Sequence, residues 1–385
     1  MEFKNPATLI QHFAEPKKTG DPVVPPIVQT SLFVFDTVEE YWETAKEPQT
    51  EAPFVYSRCG NPTLHILEQK LAALEKADEC RVFGSGMGAI SCAIFSSVKA
   101  GSHVVAVDTC YGPTRQLLSD YLPKFGVSVT YVDGRTPESV FEAIKPETSL
   151  VYLESPGSIL FRIQDLRAIG QECKRRGITT ICDNSYSTPL VQRPIEFGID
   201  IVVHSGTKYL AGHSDLCAGV LCCDSARMAE IVKLEHPLFG AALAPFPAWL
   251  MLRGLRTLEI RLQRHAATAN QVAAFLASHP QVEKVNHVFG PGFEQSELAR
   301  TQMSGNGGLL SFHPKFTDIE KVKRFANSLD IFQIGVSWGG FESLCVPIWY
   351  HPMDWSEPGW AIRLYCGLEA PEDLISALEK AFEAV

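Results

Sequence analysis

The stretch His204-Ser205-Gly206-Thr207-Lys208-Tyr209-Leu210-Ala211-Gly212-His213-Ser214-Asp215 follows directly on Ile199-Asp200-Ile201-Val202-Val203. The apolar, β-branched run reads as a buried strand. Lys208 therefore sits just past a strand end, among small hydroxyl residues and a glycine. A lone lysine on such a turn is most often simply solvated. This setting also suits an amine that must shed its proton and attack a carbonyl. An aldehyde cofactor would form a Schiff base there, and the hydroxyls of Ser205 and Thr207 could hold its phosphate.

Upstream, Gly177-Ile178-Thr179-Thr180-Ile181-Cys182-Asp183-Asn184 reads as a second buried strand ending on a carboxylate. Ligands of open α/β sheets bind outside the carboxyl ends of the strands. A carboxylate there can pair with a pyridinium nitrogen and make the ring an electron sink. An aspartate after a strand is commonly a turn or cap residue, but Asp and Lys ending successive strands form a more specific pair. Earlier still, Val82-Phe83-Gly84-Ser85-Gly86-Met87-Gly88-Ala89-Ile90 opens an apolar helix running to about Lys99. Free N–H groups at that helix start make an anion site, which glycines let a phosphate approach. The segment is neither a Walker A loop nor a full G-x-G-x-x-G followed by an acid.

Around these segments strands alternate with helices. Strands are expected at His103–Val107, Val127–Val132, Leu150–Leu153, Thr179–Cys182, Ile199–Val203 and Ala218–Cys222. The alternation predicts an α/β fold, a mostly parallel sheet with helices on both faces. Asn61-Pro62 marks a helix start, with Leu64, Leu67, Leu71 and Leu74 as its apolar stripe. From about Pro247 one long helical pattern runs to about Ser278 and reads as the bridge into a smaller C-terminal α/β domain. Residues 1–55 carry little periodicity and read as an extended arm that packs elsewhere. The expected division is an arm over 1–55, a large cofactor-binding domain over 56–246 and a C-terminal domain over 247–385.

The chain has 385 residues, enough for a large core, and a net charge of −10 without any basic run, which argues against nucleic acid. Eleven cysteines without a Cys-x-x-Cys read as reduced, buried thiols of a cytoplasmic protein. No apolar stretch is long enough to span a bilayer, and the N-terminus shows no apolar signal region. His204 and His213 flank Lys208, but no third ligand is nominated, so both are taken as structural and no metal is expected.

Taken together, the motifs resemble those of the Cys/Met-metabolism (transsulfuration) family of pyridoxal-phosphate enzymes. The matching segments are Tyr56-Ser57-Arg58 with Gly60-Asn61-Pro62-Thr63, Ser85-Gly86-Met87-Gly88-Ala89, Tyr111-Gly112, Glu154-Ser155-Pro156 and Asp183-Asn184. Ser205-Gly206-Thr207-Lys208-Tyr209, Leu252-Arg253-Gly254-Leu255-Arg256-Thr257, Ser337-Trp338-Gly339-Gly340-Phe341-Glu342-Ser343 and Ile362-Arg363-Leu364 with Gly367-Leu368-Glu369 complete the series. The resemblance implies a fold type I, PLP-dependent transferase-like architecture and pyridoxal 5'-phosphate as cofactor. It implies Lys208 as the Schiff-base lysine and general acid or base, Asp183 on the pyridine nitrogen, and Gly86, Met87, Ser205 and Thr207 on the phosphate. Tyr111 would lie over the ring face and assist proton transfer, and Arg363 would clamp the α-carboxylate of a small amino-acid substrate, with Ser337 and Trp338 beside it. Tyr56 and Arg58 would reach the phosphate in a neighbouring subunit of a homo-oligomer, a tetramer built as a dimer of dimers with shared sites. Glu154 receives no chemical role.

For the reaction, Trp338 and Ser158 resemble bacterial cystathionine β-lyase, where γ-eliminating relatives carry leucine and asparagine. The resemblance thus implies β-elimination of cystathionine, or a related cysteine S-conjugate, to homocysteine or another thiol, pyruvate and ammonia, as in methionine biosynthesis. The indole would narrow the site and donate its N–H beside the clamp. The ending of Asp183-Asn184-Ser185-Tyr186-Ser187-Thr188-Pro189 resembles the γ-branch instead. The alternative is therefore a cystathionine or methionine γ-lyase or a homoserine-ester sulfhydrylase. An alternative of another class is a non-catalytic regulator that binds the cofactor.

Overall fold

The computed structural model describes residues 3, 5–15, 18–47 and 51–385. The first of two sheets is built from β1 (Glu79–Phe83), β2 (His103–Val107), β3 (Ser128–Val132), β4 (Thr148–Glu154), β5 (Thr179–Asp183), β6 (Ile201–Ser205) and β7 (Gly219–Cys223), in the order β1-β7-β6-β5-β4-β2-β3. All its pairings are parallel except those of β7, which runs against both β1 and β6. Val104, Val105, Val151, Ile181 and Val202 are fully buried between the helix layers, which is why these strands read as unbroken apolar runs. Each strand expected from those runs is present, His103–Val107 with the expected bounds and the others with edges moved by one or two residues. β1 was not anticipated, because Glu79 and Arg81 interrupt its apolar signal. Arg81 is buried nonetheless, paired with Glu68 at 2.8 Å.

The second sheet takes the order β10-β11-β12-β9-β8, from β8 (Val282–Asn286), β9 (Leu309–Pro314), β10 (Gln333–Ile334), β11 (Leu344–Tyr350) and β12 (Gly359–Tyr365). Its pairings are antiparallel except β10 with β11. The helix Pro371–Glu383 covers it through Leu374, Leu378 and Phe382.

Two expectations need correction. The pattern from 247 to 278 is two helices, Pro245–Leu255 and Leu258–Ser278. The break follows from Gly254, whose carbonyl accepts from the Thr257 N–H at 3.2 Å and from Arg261 Nη2 at 2.8 Å. These bonds close a turn that ends the first helix. The N-terminal segment is also not simply extended. It carries the helices Pro6–His12 and Val38–Lys46, and the first packs Leu9 and Ile10 into the chain's own core. The helix Val38–Lys46 buries no residue. Asn61 behaves as read: its Oδ1 accepts from the Thr63 N–H at 2.9 Å and caps the helix Pro62–Glu75.

Candidate active site

β4, β5 and β6 end side by side. The register sets Glu154 against Asp183 and Asp183 against Val203, so the carboxylates and Ser205 share one edge of the sheet. Asp183 is buried. Its Oδ1 accepts from the Ser185 N–H at 2.9 Å and from the Ser185 hydroxyl at 2.6 Å. Its Oδ2 has no donor among the described residues. Burial pushes this carboxyl above its ordinary value, against the Ser185 bonds, His204 and Lys208. A protonated ring nitrogen would supply both the missing donor and a counter-charge.

The helix Gly86–Phe95 starts beside this edge. Ser85 Oγ accepts from the Gly88 N–H at 3.0 Å, which leaves the first N–H groups, those of Gly86 and Met87, open for an anion. A Cβ on Gly86 would stand 3.1 Å from the Ser205 hydroxyl, so the glycine lets helix start and hydroxyl converge without displacing either. The Thr207 hydroxyl is turned to β7, accepting from the Ala218 N–H at 3.0 Å. It would have to release its own 3.3 Å bond to the Ala218 carbonyl before donating to a phosphate. The donors and the paired carboxylate fit pyridoxal 5'-phosphate.

Lys208 Nζ donates to Ser337 Oγ at 2.6 Å and lies 5.4 Å from the centre of the Trp338 ring. Gly339 has φ +93, and a Cβ there would come 2.7 Å from the Lys208 carbonyl carbon. The segment around Ser337 therefore lies flat on the lysine backbone. Burial first, then the Arg363 charge, pulls the amine down to about 8. Arg363, on β12, is buried and donates to the Val336 carbonyl. Among the described residues no carboxylate lies within ion-pair reach of it, and burial lowers it to about 10. A guanidinium held this way is uncompensated until an anion arrives.

Tyr111 is 48% exposed, and its N–H donates to Glu154 Oε2 at 2.6 Å. Glu154 Oε1 accepts from the Ser158 N–H at 3.2 Å. Burial and then Asp183 raise Glu154 to about 8. Sequence reasoning gave this residue no part, although the signal was present: it ends an apolar strand just as Asp183 does. Trp338 is a buried wall rather than a demonstrated donor, edge-on to Tyr209 at 5.3 Å.

Tyr56 and Arg58 stand apart from this group. Both are exposed, and Arg58 Nη1 donates to the Pro237 carbonyl at 2.6 Å. No contact among the described residues joins them to Lys208. His204 is structural as read, buried 2.6 Å from Glu75, and His213 holds the Ala211 carbonyl at 2.8 Å. Among the described residues no group of three or more His, Cys, Asp or Glu could hold a metal. No helix among them is long and apolar enough to cross a membrane.

A two-sheet α/β scaffold with a half-buried lysine and a buried aspartate past successive strand ends, an anion-binding helix start and a buried arginine without an acid defines a PLP-dependent enzyme of amino-acid metabolism. The profile of the Cys/Met metabolism PLP-dependent enzyme family matches residues 7–383, and the chain belongs to that family. It is 40% identical to an L-methionine gamma-lyase of Porphyromonas gingivalis, over 94% of this chain and 92% of that one. It is 36% identical to an L-methionine gamma-lyase of Pseudomonas putida, over 97% and 96% of the two chains. The crystal structure of MetB from Corynebacterium glutamicum superposes with a TM-score of 0.89 at 31% identity, covering 99% of this chain and 98% of that one. Fold type I and pyridoxal 5'-phosphate follow.

Proposed function

We propose that this enzyme is a carbon–sulfur lyase acting on a thioether α-amino acid, with γ-elimination of an L-methionine-like substrate as its main reaction. The observation that carries the lyase reading is the trio of Arg363, Lys208 and Asp183. They are a buried guanidinium without an acid, an amine brought down to about 8, and a carboxylate with one open oxygen. The γ-preference rests on the methionine γ-lyase relatives, which move the preferred reaction from the β-elimination expected from Trp338 and Ser158 to its alternative. β-Elimination of cystathionine remains the second reading, favoured by the Trp338 indole beside the Lys208 amine.

The bound cofactor supplies the electron sink for carbanion chemistry. The chain does the rest. Arg363 receives the α-carboxylate through two parallel N–H bonds and thereby aims Cα. Lys208, oriented by Ser337, removes the Cα proton. γ-Elimination needs a second deprotonation, at Cβ, and the same amine is the base nearest to that position in this reading. Tyr111, placed by its N–H bond to Glu154, would give a proton to the leaving thiolate. The organic product hydrolyses to 2-oxobutyrate and ammonia. We further propose a cytoplasmic homotetramer with the arm, large-domain and C-terminal division at 55 and 246, in which Tyr56 and Arg58 serve the phosphate of a neighbouring subunit.

Purified protein incubated separately with L-methionine and cystathionine, with the keto acid identified, tests the choice. 2-Oxobutyrate with methanethiol from methionine is the expected result. Pyruvate from cystathionine with no turnover of methionine would overturn it in favour of the second reading.

A further inference from the structure

Arg162 lies outside the reacting group and has no part in the chemistry above. Its side chain is 6% exposed and reaches three aspartates. Nη1 lies 3.2 Å from Asp108 Oδ1 and 3.0 Å from Asp133 Oδ1, and Nη2 donates to Asp354. Arg135 closes the ring, with Nε 2.8 Å from Asp133 Oδ2 and Nη2 3.4 Å from Asp354 Oδ2. Asp108 Oδ2 also accepts from the Met353 N–H at 2.7 Å.

The elements that carry these groups give the cluster its meaning. Asp108 and Asp133 directly follow β2 and β3 of the first sheet. Met353 and Asp354 lie in the loop 351–358, the tip of the β11–β12 hairpin of the second sheet. Among the described residues, every polar contact between that tip and the first sheet runs through Met353 and Asp354. β12 carries Arg363, paired with Val346 across the hairpin. Asp108 begins the turn that carries Tyr111, and its carbonyl accepts from Arg115 Nη1 at 3.1 Å. One cluster thus ties the strand bearing Arg363 to the turn bearing Tyr111.

We propose that Arg162 and Asp354 are positioning residues that latch the β11–β12 hairpin onto the first sheet and so hold Arg363 at the right distance from Lys208 for an α-carboxylate. The inference rests on reading Arg363 as the clamp. The network is anchored on the buried Arg162 and Asp108 while Asp133, Asp354 and Arg135 are partly exposed, and its members support one another, so loss of Asp354 leaves a buried guanidinium short of a partner and loosens the hairpin tip. Arg363 then samples positions from which its paired N–H bonds no longer meet the carboxylate.

The test uses holoenzyme and two ligands that cannot eliminate a thiol, L-norleucine and n-pentylamine, the same side chain without the carboxylate. Binding is read from the visible absorbance of the cofactor and needs no turnover. Asp354→Ala should weaken norleucine about tenfold, the scale of one charge-assisted hydrogen bond, and leave pentylamine unchanged. Asp354→Glu should recover most of the loss. Should Asp354→Ala fail to fold, Arg135→Gln removes the more exposed member of the same network and should show the same selectivity in smaller measure. Equal weakening of both ligands, or no change in either, overturns the latch. If the unaltered protein does not prefer norleucine over pentylamine, the clamp reading has failed and the inference falls with it. Absence of carbon–sulfur cleavage with normal norleucine selectivity overturns the lyase reading alone.

Discussion

Lys208 Nζ and Ser337 Oγ are 2.6 Å apart, a contact that joins the turn after β6 to the segment between β10 and β11 of the second sheet. The hydroxyl accepts from the amine and fixes its direction, while the low polarity around both favours the neutral base. Two statements about Lys208 follow. Borohydride should fix the cofactor on Lys208 and on no other lysine, as read by peptide mass, and Lys208→Ala should lose turnover. Ser337→Ala should keep the cofactor but lower kcat/KM by up to about tenfold, one hydrogen bond between neutral groups being worth roughly 0.5–1.5 kcal/mol.

The Lys208 amine also sets a pH dependence. In cofactor-free protein its acylation by an amine-directed reagent should rise through about pH 8, well below ordinary lysines. The sign for stability follows from linkage. The folded form holds this proton less tightly than the unfolded form, so between about pH 8 and the ordinary lysine range the unfolded state binds more protons. Stability should therefore rise with pH in that window, and Lys208→Met should remove that part of the slope. A slope identical in the variant would show that the amine is not perturbed.

Arg363→Lys should raise KM and lower kcat, because two aligned N–H bonds become a point contact. kcat/KM should fall at least about tenfold. A variant with unchanged kcat/KM would remove Arg363 from the site.

Glu154 accepts from the Tyr111 and Ser158 N–H groups, and Gln offers only one accepting oxygen for the two. Glu154→Gln should lower kcat several-fold while cofactor binding persists. The wild-type carboxyl sits near 8 when folded, so the folded state binds the extra proton from the ordinary carboxylate range up to about pH 8, and stability falls with rising pH there. The melting temperature of cofactor-free Glu154→Gln should fall less steeply across that range than that of the wild type.

Tyr56 and Arg58 are exposed and bound to no residue of the Lys208 group. Mixing inactive Arg58→Ala with inactive Lys208→Ala subunits should restore part of the activity, in hybrids that carry one intact composite site. A fully active monomer in sedimentation would refute the shared site.

Lys208, Asp183 and the glycine-rich helix start were legible in the chain itself. A residue just past an apolar strand lies at the carboxyl edge of whatever sheet that strand joins, and this needs only local pattern. The parallel sheet followed for the same reason, since buried strands advertise themselves by continuous Val and Ile. β1 escaped because Arg81 interrupts its apolar run and is buried against Glu68, a partner on another element. The bend at Gly254 escaped because helical periodicity continues across it. The contacts of Lys208 with Ser337, Glu154 with Tyr111 and Arg162 with Asp354 were decided by the tertiary structure alone. Each joins residues far apart in the chain, and which strand ends meet depends on strand order, register and the docking of one sheet on another. Local periodicity carries the face a side chain takes on its own strand, and it carries nothing about which distant side chain will face it.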